Sequence, residues 1–208
     1  MAYPSNDQAP TWIDLLRHGE PEGGRRYRGQ QDDPLSDRGW QQMRQAVHRD
    51  DHWDSIISSP LKRCRAFAEE LSADRHIPLH IEPDFAEIHF GNWEGRTMEQ
   101  IAETEADALA AFWADGLNNP PPGGENVGAF GQRVAAAWDR WVDRLRGQRI
   151  LLVCHGGVIR MTMAHVLETP PQTMMARLQV PYACRSRIRV DDTPHGRLRC
   201  LLMHGSRK

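Results

Sequence analysis

The sequence predicts an α/β fold: a three-layer αβα sandwich built on a mostly parallel sheet of about six strands, with an antiparallel edge strand. Short apolar runs alternate with segments of helical periodicity along most of the chain, which is typical of βαβ units. Two alternating runs separated by a turn close the chain, and this pattern predicts an antiparallel hairpin. A length of 208 residues with 39% hydrophobic composition fits one domain, residues 1–208, with a core of its own.

The predicted strands are short runs of apolar or alternating residues bounded by turn residues. The first four are apolar runs of the kind that parallel sheets bury on both faces. In the closing hairpin, Arg185, Arg187 and Arg189 alternate with apolar or small residues, and a turn over residues 191–196 follows. In order, the strands are residues 12–16, 56–57, 78–81, 150–153, 184–190 and 198–203.

The predicted helices are recognised from caps and from apolar periodicity. Ser36 is a candidate N-cap, and Ser59 followed by Pro60 predicts a second helix start. The prolines and glycines at residues 120–124 break the chain before its clearest amphipathic helix. The last helix is apolar nearly all round and is expected to be buried. In order, the helices run from Ser36 to about residue 51, then over residues 59–71, 98–114, 125–145 and 158–167.

Composition limits the class of protein. A formal charge of −2 argues against a dedicated nucleic-acid binder, and no run of apolar residues is long enough to span a membrane. The four cysteines lie far apart and lack the spacing of a disulfide scaffold or a zinc ribbon. Residues 1–11 are polar and lack the apolar core of a signal peptide. We therefore expect a soluble, cytoplasmic protein with reduced thiols, no nucleic-acid partner and no membrane association.

Charged side chains follow each of the first four predicted strands. Arg17 and His18 follow the first strand, Arg63 lies in the helical turn after the second, Glu87 follows the third, and His155 follows the fourth. The carboxyl edge of a parallel sheet is where such folds bind ligands. Arginines can hold the equatorial oxygens of a phosphoryl group while a neutral imidazole attacks its phosphorus. The sequence therefore predicts a site for phosphoryl transfer at this edge.

A metal site is the alternative use of these residues. It would be built from His18, His155, Cys154 and Glu87. The chain has no HxxxH or paired-cysteine spacing, and the two arginines would repel a cation. The phosphoryl-transfer interpretation is therefore favoured, with no metal.

Five motifs occur in a fixed order along almost the whole chain. They are Arg17-His18-Gly19-Glu20, Ser59-Pro60-Leu61-Lys62-Arg63, Glu87 with Phe90-Gly91-Asn92-Trp93-Glu94-Gly95, Pro122-Gly123-Gly124-Glu125, and His155-Gly156-Gly157. Together they resemble the histidine phosphatase superfamily, in its phosphoglycerate-mutase-like branch. The resemblance implies that His18 is the nucleophile that forms a phosphohistidine and that Glu87 donates and accepts the proton. It also implies that Arg17, Arg63 and His155 hold the phosphoryl oxygens, without a metal or a cofactor.

The first loop departs from the family pattern. The family commonly has a threonine after His-Gly-Glu and then an asparagine that contacts the phosphate, whereas this chain has Pro21 and the pair Gly23-Gly24. Arg25, Arg28 and Gln30, together with Arg26, are the candidates to replace that contact, and Gly156 is a further candidate for binding the substrate. Asn126 stands where the family usually has serine or threonine, at a position in the lid.

Within the superfamily, the segments around Gly23 to Gly29, Asp33 to Ser36, and Gly39-Trp40 look most like bacterial α-ribazole phosphatases of cobalamin assembly. This implies a phosphomonoesterase whose partner is a small phosphorylated metabolite, α-ribazole 5′-phosphate. The alternatives are a phosphatase of another metabolite or sugar phosphate, a phosphoglycerate mutase, and an inactive relative that binds phosphorylated ligands. Mutases are generally longer, but the arginines of the first loop could serve a second phosphate. The sequence leaves open whether the chain forms a homodimer.

Overall fold

A single six-stranded sheet organises the protein. The computed structural model describes residues 9–205. Its strands are β1 (Thr11–Arg17), β2 (Ser55–Ser58), β3 (Leu79–Ile81), β4 (Arg149–Cys154), β5 (Arg185–Thr193) and β6 (Gly196–Gly205), in the spatial order β3-β2-β4-β1-β5-β6. The first four strands run parallel, β5 is antiparallel to β1, and β6 is antiparallel to β5. The predicted fold class is confirmed, and its antiparallel part is the two-stranded hairpin.

Helices cover both faces of the sheet. They are α1 (Asp37–Ala46), α2 (Lys62–Arg75), α3 (Met98–Ala114), α4 (Val127–Arg144), α5 (Gly156–Val166) and α6 (Pro171–Arg177). Because successive strand residues point to opposite faces, Leu15 and Leu152 join one core and Leu16 and Leu151 the other. The first core is completed by α3 to α6 and the second by α1 and α2. This gives the three predicted layers.

The end of α1 and the start of α2 differ from the prediction. Ser36 does cap α1, because its Oγ accepts the N–H of Gly39 at 3.0 Å. The helix ends at Ala46, short of the expected residue 51, because Val47 takes an extended conformation. Helix α2 begins at Lys62 rather than at Ser59-Pro60, and it continues to Arg75. The hydroxyl of Ser59 lies at the carboxyl edge of the sheet instead.

Two further helices contribute to the walls of the site. Helix α3 has the predicted bounds, but it is kinked at Glu105, whose φ of −142° and ψ of 37° are not helical. Helix α6 was not predicted, because it is short and only Met175 within it is buried. Within residues 9–205, no helix combines the length and the apolar character needed to cross a membrane.

Candidate active site

The ends of β1 and β4 bring two histidines together. Arg17 lies opposite Cys154 in the parallel pairing of these strands, so the residues that follow them, His18 and His155, are neighbours. Their ring centroids are 5.2 Å apart and their planes meet at 63°. Both side chains are buried. The two histidines that were predicted to converge from separate loops therefore lie side by side at the carboxyl edge.

The hydrogen bonding of His18 defines which ring nitrogen faces a ligand. Its Nδ1 lies 2.7 Å from the carbonyl oxygen of Gly19, which can only accept, so Nδ1 carries the proton and donates. Burial, followed by the charges of Arg17 and Arg63, holds the pKa of His18 well below its ordinary value. A neutral ring with a lone pair on Nε2 follows. This is the form in which an imidazole acts as a nucleophile.

Arg17 and Arg63 each present an unsatisfied donor. Arg17 Nη1 donates to the carbonyl of Val180 at 2.5 Å, while Arg63 donates through Nη1 and Nη2 to the carbonyls of Gln31 at 2.7 Å and Gly29 at 2.6 Å. These bonds fix the direction of both guanidinium planes. Among residues 9–205, the buried Nε of each finds no partner. Buried N–H groups without an acceptor are rare, so these two are well suited to an anionic ligand.

His155 is oriented by a serine that the sequence assigned to another role. Ser59 Oγ lies 2.6 Å from His155 Nε2, and the thiol of Cys64 lies 3.6 Å from the same nitrogen. The main contact of the Ser59 hydroxyl is therefore His155, and the prediction that it caps α2 is wrong. The strand order explains the difference, because the end of β2 lies beside β4. Burial, and then the charges of Arg63 and His18, lower the pKa of His155 well below its ordinary value.

Glu87 is held against the start of α5. Its Oε1 accepts the N–H of Ile88 at 3.0 Å, and its Oε2 accepts the N–H of Gly157 at 3.0 Å. The carboxylate borders the same cavity as His18. A carboxyl group in this position can transfer a proton to or from a group bound beside the imidazole.

Arg133 of α4 supports the loop that carries Glu87. Its guanidinium donates to the carbonyl oxygens of Asp84 at 2.6 Å, Ala86 at 2.8 Å and Glu87 at 3.1 Å. It also forms two hydrogen bonds to the carboxylate of Glu125, at 2.7 and 2.8 Å. The sequence did not single out Arg133, because an arginine on the polar side of an amphipathic helix looks like a surface residue. The Pro-Gly-Gly-Glu motif could have pointed to it, because the Glu125 of that motif is the partner of Arg133.

A cavity of about 370 Å³ opens at this edge of the sheet. The predicted site residues that line it are Arg17, His18, Arg25, Arg28, Arg63, Glu87 and Gly156. Gln30 and His155 do not line it, and His155 is fully buried beside His18. The prediction that the Gln30 side chain contacts the substrate is not supported. Its side chain is exposed, and its backbone N–H donates to Glu94 Oε1 at 2.9 Å.

The arginines of the first loop mostly brace that loop. Arg28 is buried and donates through Nε to Asp33 at 2.8 Å and through Nη2 to two backbone carbonyls of the loop. Arg26 donates to the carbonyl of Gly23 in the same loop and to that of Gly95 outside it, but its buried Nε finds no partner among residues 9–205. Arg25 is exposed, and both Arg25 and Arg26 line the cavity. The idea that all three serve a second phosphate therefore loses support only at Arg28, whose donors hold its own loop.

Arg160 and Tyr182 also line the cavity, and both were missed in the sequence. Arg160, in α5, donates from Nε to the carbonyl of Leu178 at 2.9 Å. The ring of Tyr182 lies 4.3 Å from the Arg17 guanidinium carbon, and its centroid is 5.8 Å from that of His18. Arg160 could have been predicted, because it lies one helical turn beyond Gly156. No pattern in the sequence indicated Tyr182.

The alternative metal site does not form. In the part of the chain that the structure describes, no three His, Cys, Asp or Glu side chains are grouped so that they could hold a metal ion. Cys154 is fully buried, and this burial raises the pKa of its thiol well above the ordinary value. The cavity is instead lined by arginines together with the carboxylates Glu87 and Glu99.

Comparison with known proteins identifies similar sequences and structures. The sequence model of the Histidine phosphatase superfamily (branch 1) matches residues 13–200. The adenosylcobalamin/alpha-ribazole phosphatase of Salmonella typhimurium is 32% identical over 182 residues, which cover 84% of this chain and 88% of that protein.

Solved structures agree with this match. A putative alpha-ribazole-5′-P phosphatase from Escherichia coli is 28% identical and has a TM-score of 0.83, over 95% of this chain and 97% of that one. Bacillus stearothermophilus YhfR is 30% identical and has a TM-score of 0.85, over 95% of this chain and 98% of that one. The fold is thus shared over nearly the full length of the chain.

Proposed function

Because the chain belongs to the histidine phosphatase superfamily (branch 1), we propose that it hydrolyses phosphomonoesters through a phosphohistidine on His18, with α-ribazole 5′-phosphate as its preferred substrate. The observation that carries the proposal is the state of His18. Its Nδ1–H is bound to Gly19, its ring is neutral, and Arg17 and Arg63, each with an unpaired buried Nε, line the same cavity as His18. A nucleophile and two oriented cations are the groups that phosphoryl transfer needs.

In the first half-reaction, His18 Nε2 attacks the phosphorus and the bond to the ester oxygen breaks. Arg17, Arg63 and His155 hold the equatorial oxygens, where negative charge is concentrated in the transition state. Glu87, in its protonated form, gives its proton to the departing alkoxide. The products are the alcohol, a phosphohistidine and an ionised Glu87.

In the second half-reaction, the ionised Glu87 accepts a proton from water as the water oxygen attacks the phosphorus. The phosphorus–nitrogen bond breaks, and its electron pair returns to His18 Nε2. Inorganic phosphate leaves, and both groups recover their starting protonation states. One carboxyl group therefore serves as acid and then as base.

The substrate assignment rests on the relatives and on the cavity. The similar protein from Salmonella typhimurium is an adenosylcobalamin/alpha-ribazole phosphatase. A volume of about 370 Å³ lies within the range of roughly 300–1,000 Å³ for pockets that enclose a drug-sized ligand. A mutase would need donors for a second phosphate, and those of Arg28 are engaged within the first loop.

Steady-state kinetics test the proposal. We expect kcat/KM to be highest for α-ribazole 5′-phosphate, lower for sugar phosphates and lowest for 3-phosphoglycerate. A mutase rate above the hydrolysis rate, with 2,3-bisphosphoglycerate as primer, would contradict it. Three further expectations stay predictions: the single domain over residues 1–208, the cytoplasmic location and the absence of a nucleic-acid partner.

A further inference from the structure

Part of the cavity is apolar, and the reaction chemistry does not use this part. We call it the aromatic wall. Its members are Tyr27, Phe90, Met98, Trp113 and Met175. Met98 is 48% exposed and Trp113 is 36% exposed, so both large apolar side chains present surface to solvent beside the cavity. Apolar surface exposed beside a binding site indicates contact with a ligand.

The rings of the aromatic wall are held in defined orientations. The indole N–H of Trp113 donates to the hydroxyl of Tyr27 at 2.8 Å, which joins α3 to the first loop. Tyr27 in turn meets Phe90 edge to face, with centroids 4.9 Å apart and planes at 86°. The ring of Trp113 also meets that of Phe112 edge to face, with centroids 5.3 Å apart. The wall is therefore preformed, and a ligand need not order it on binding.

The kink of α3 brings both ends of this helix to the cavity. Along a straight helix, residues 98 and 113 would be about 22 Å apart. Both nevertheless line the cavity, and the helix departs from helical geometry at Glu105 between them. The Glu105 carboxylate is fixed by the indole N–H of Trp93 at 2.9 Å and by Arg96 at 2.5 Å. This anchoring keeps the bend in place.

We propose that the aromatic wall binds a planar aromatic group on the leaving alcohol and makes the enzyme selective for phosphomonoesters that carry one. This inference rests on the proposed phosphatase function. Aromatic side chains favour edge-to-face and offset-stacked partners, and methionine sulfur contacts ring edges favourably. Binding energy from a group remote from the phosphorus can then be used to hold the reacting bond in line.

Two substrates with the same reacting alcohol test the inference. α-Ribazole 5′-phosphate and ribose 5-phosphate share the ribose C5 ester, and only the first has an aromatic base. The variants Met98→Ala and Trp113→Ala should each lower kcat/KM for α-ribazole 5′-phosphate about tenfold, and leave that for ribose 5-phosphate within about twofold. Leu117→Ala is the matched control, because Leu117 is 37% exposed close to α3 but does not line the cavity. It should change neither value.

Calorimetric binding of the free nucleoside α-ribazole separates this inference from the proposed reaction, because it needs no phosphoryl chemistry. We expect the wild type and Leu117→Ala to bind the nucleoside equally, and Trp113→Ala to bind it about tenfold more weakly. Equal losses on both phosphate esters, or no loss on either, would overturn the inference. The inference would also be overturned if the wild type hydrolysed phosphomonoesters but did not bind the nucleoside. In that case the proposed phosphatase function would still stand. Binding without formation of a phosphoenzyme would instead overturn the proposed reaction.

Discussion

The backbone N–H of Gly157 donates a hydrogen bond to Glu87 Oε2 at 3.0 Å. This bond ties the loop after β3 to the first turn of α5, the helix that begins directly after His155. A Cβ atom built on Gly157 would overlap Glu87 Oε1 and press against Phe130. The start of α5 therefore positions both the Glu87 carboxylate, which is proposed to transfer the proton, and the His155 imidazole, which is proposed to hold the phosphate.

Gly157→Ala should displace Glu87 and mimic Glu87→Gln. Both changes should lower kcat by about 10²-fold or more on alkyl phosphates, whose leaving groups need a proton, and much less on an activated aryl phosphate. Kinetics on the two ester classes measure this. Gly131→Ala is the control, because its Cβ would lie 3.3 Å from the flexible Met161 side chain and at ordinary contact distance, 3.7 Å, from Pro171, and alanine favours a helix. Equal effects of the two glycine changes would contradict the prediction.

His18→Ala should abolish both turnover and the phosphoenzyme. Its Nε2 is the nitrogen whose lone pair is left free beside the arginines, and loss of a nucleophile cannot be compensated by the remaining groups. Rapid acid quenching with labelled substrate measures the trapped, acid-labile phosphate. His165→Ala is the control, since His165 lies 3.0 Å from Asp139 outside the cavity. Labelling of the His18→Ala variant would move the nucleophile elsewhere.

Stability should fall as the pH drops below about 6.5. Burial lowers the pKa of His18 and of His155 in the folded protein, whereas in the unfolded chain each titrates near 6.5. At a pH between the pKa of a histidine in the folded protein and its pKa in the unfolded chain, the unfolded chain binds a proton that the folded protein does not. The free energy of unfolding should therefore decrease by up to about 1.4 kcal/mol per pH unit for each histidine, and be fully retained above about pH 7.

Urea denaturation at pH 7.5, 6.5 and 5.5 measures this loss. His18→Gln serves as the matched variant, because it removes one of the two titrating groups and keeps a polar side chain of similar size. Its stability should vary less with pH than that of the wild type. Identical slopes in the two proteins would argue against the depressed pKa of His18.

Arg185→Leu should destabilise the protein without altering catalysis. Arg185 is buried and donates to Asp14 at 2.6 Å and to Asp51 at 2.6 Å. Burial alone would raise the pKa of Asp14, but hydrogen bonds from Arg187 and Arg185 lower it, so this carboxylate is charged in the folded protein. Removing the central cation takes one charged partner from each of the two buried carboxylates, although Arg187 still binds Asp14, and should cost about 3–5 kcal/mol.

Urea denaturation and kcat/KM at a temperature where the variant is folded measure the two effects. Arg44→Ala is the control, since the pair that Arg44 forms with Glu70 is exposed between α1 and α2. The denaturation midpoint of this variant should stay close to that of the wild type. A midpoint for Arg185→Leu equal to that of Arg44→Ala would show that the buried pair contributes little.

Most of the secondary structure and the central site residues were predictable from the sequence, because their signals are local. Apolar runs marked the strands, caps and periodicity marked α1, α3 and α4, and the charged residues at the ends of strands β1, β2 and β4 followed directly. The parallel sheet then placed Arg17, His18, Arg63 and His155 together, because neighbouring parallel strands end at one edge.

The partners of these residues were decided by the tertiary structure. Ser59 and His155 are 96 positions apart in the chain and meet only because β2 lies beside β4. Arg133 reaches the Glu87 loop because α4 packs against it, and a local pattern cannot tell such an arginine from a solvated one. Arg25 and Arg28 look alike in sequence, yet one is exposed at the cavity and the other is bound within its own loop. Hydrogen bonds between distant segments depend on strand order and helix packing, and the local periodicity of the sequence determines neither of these.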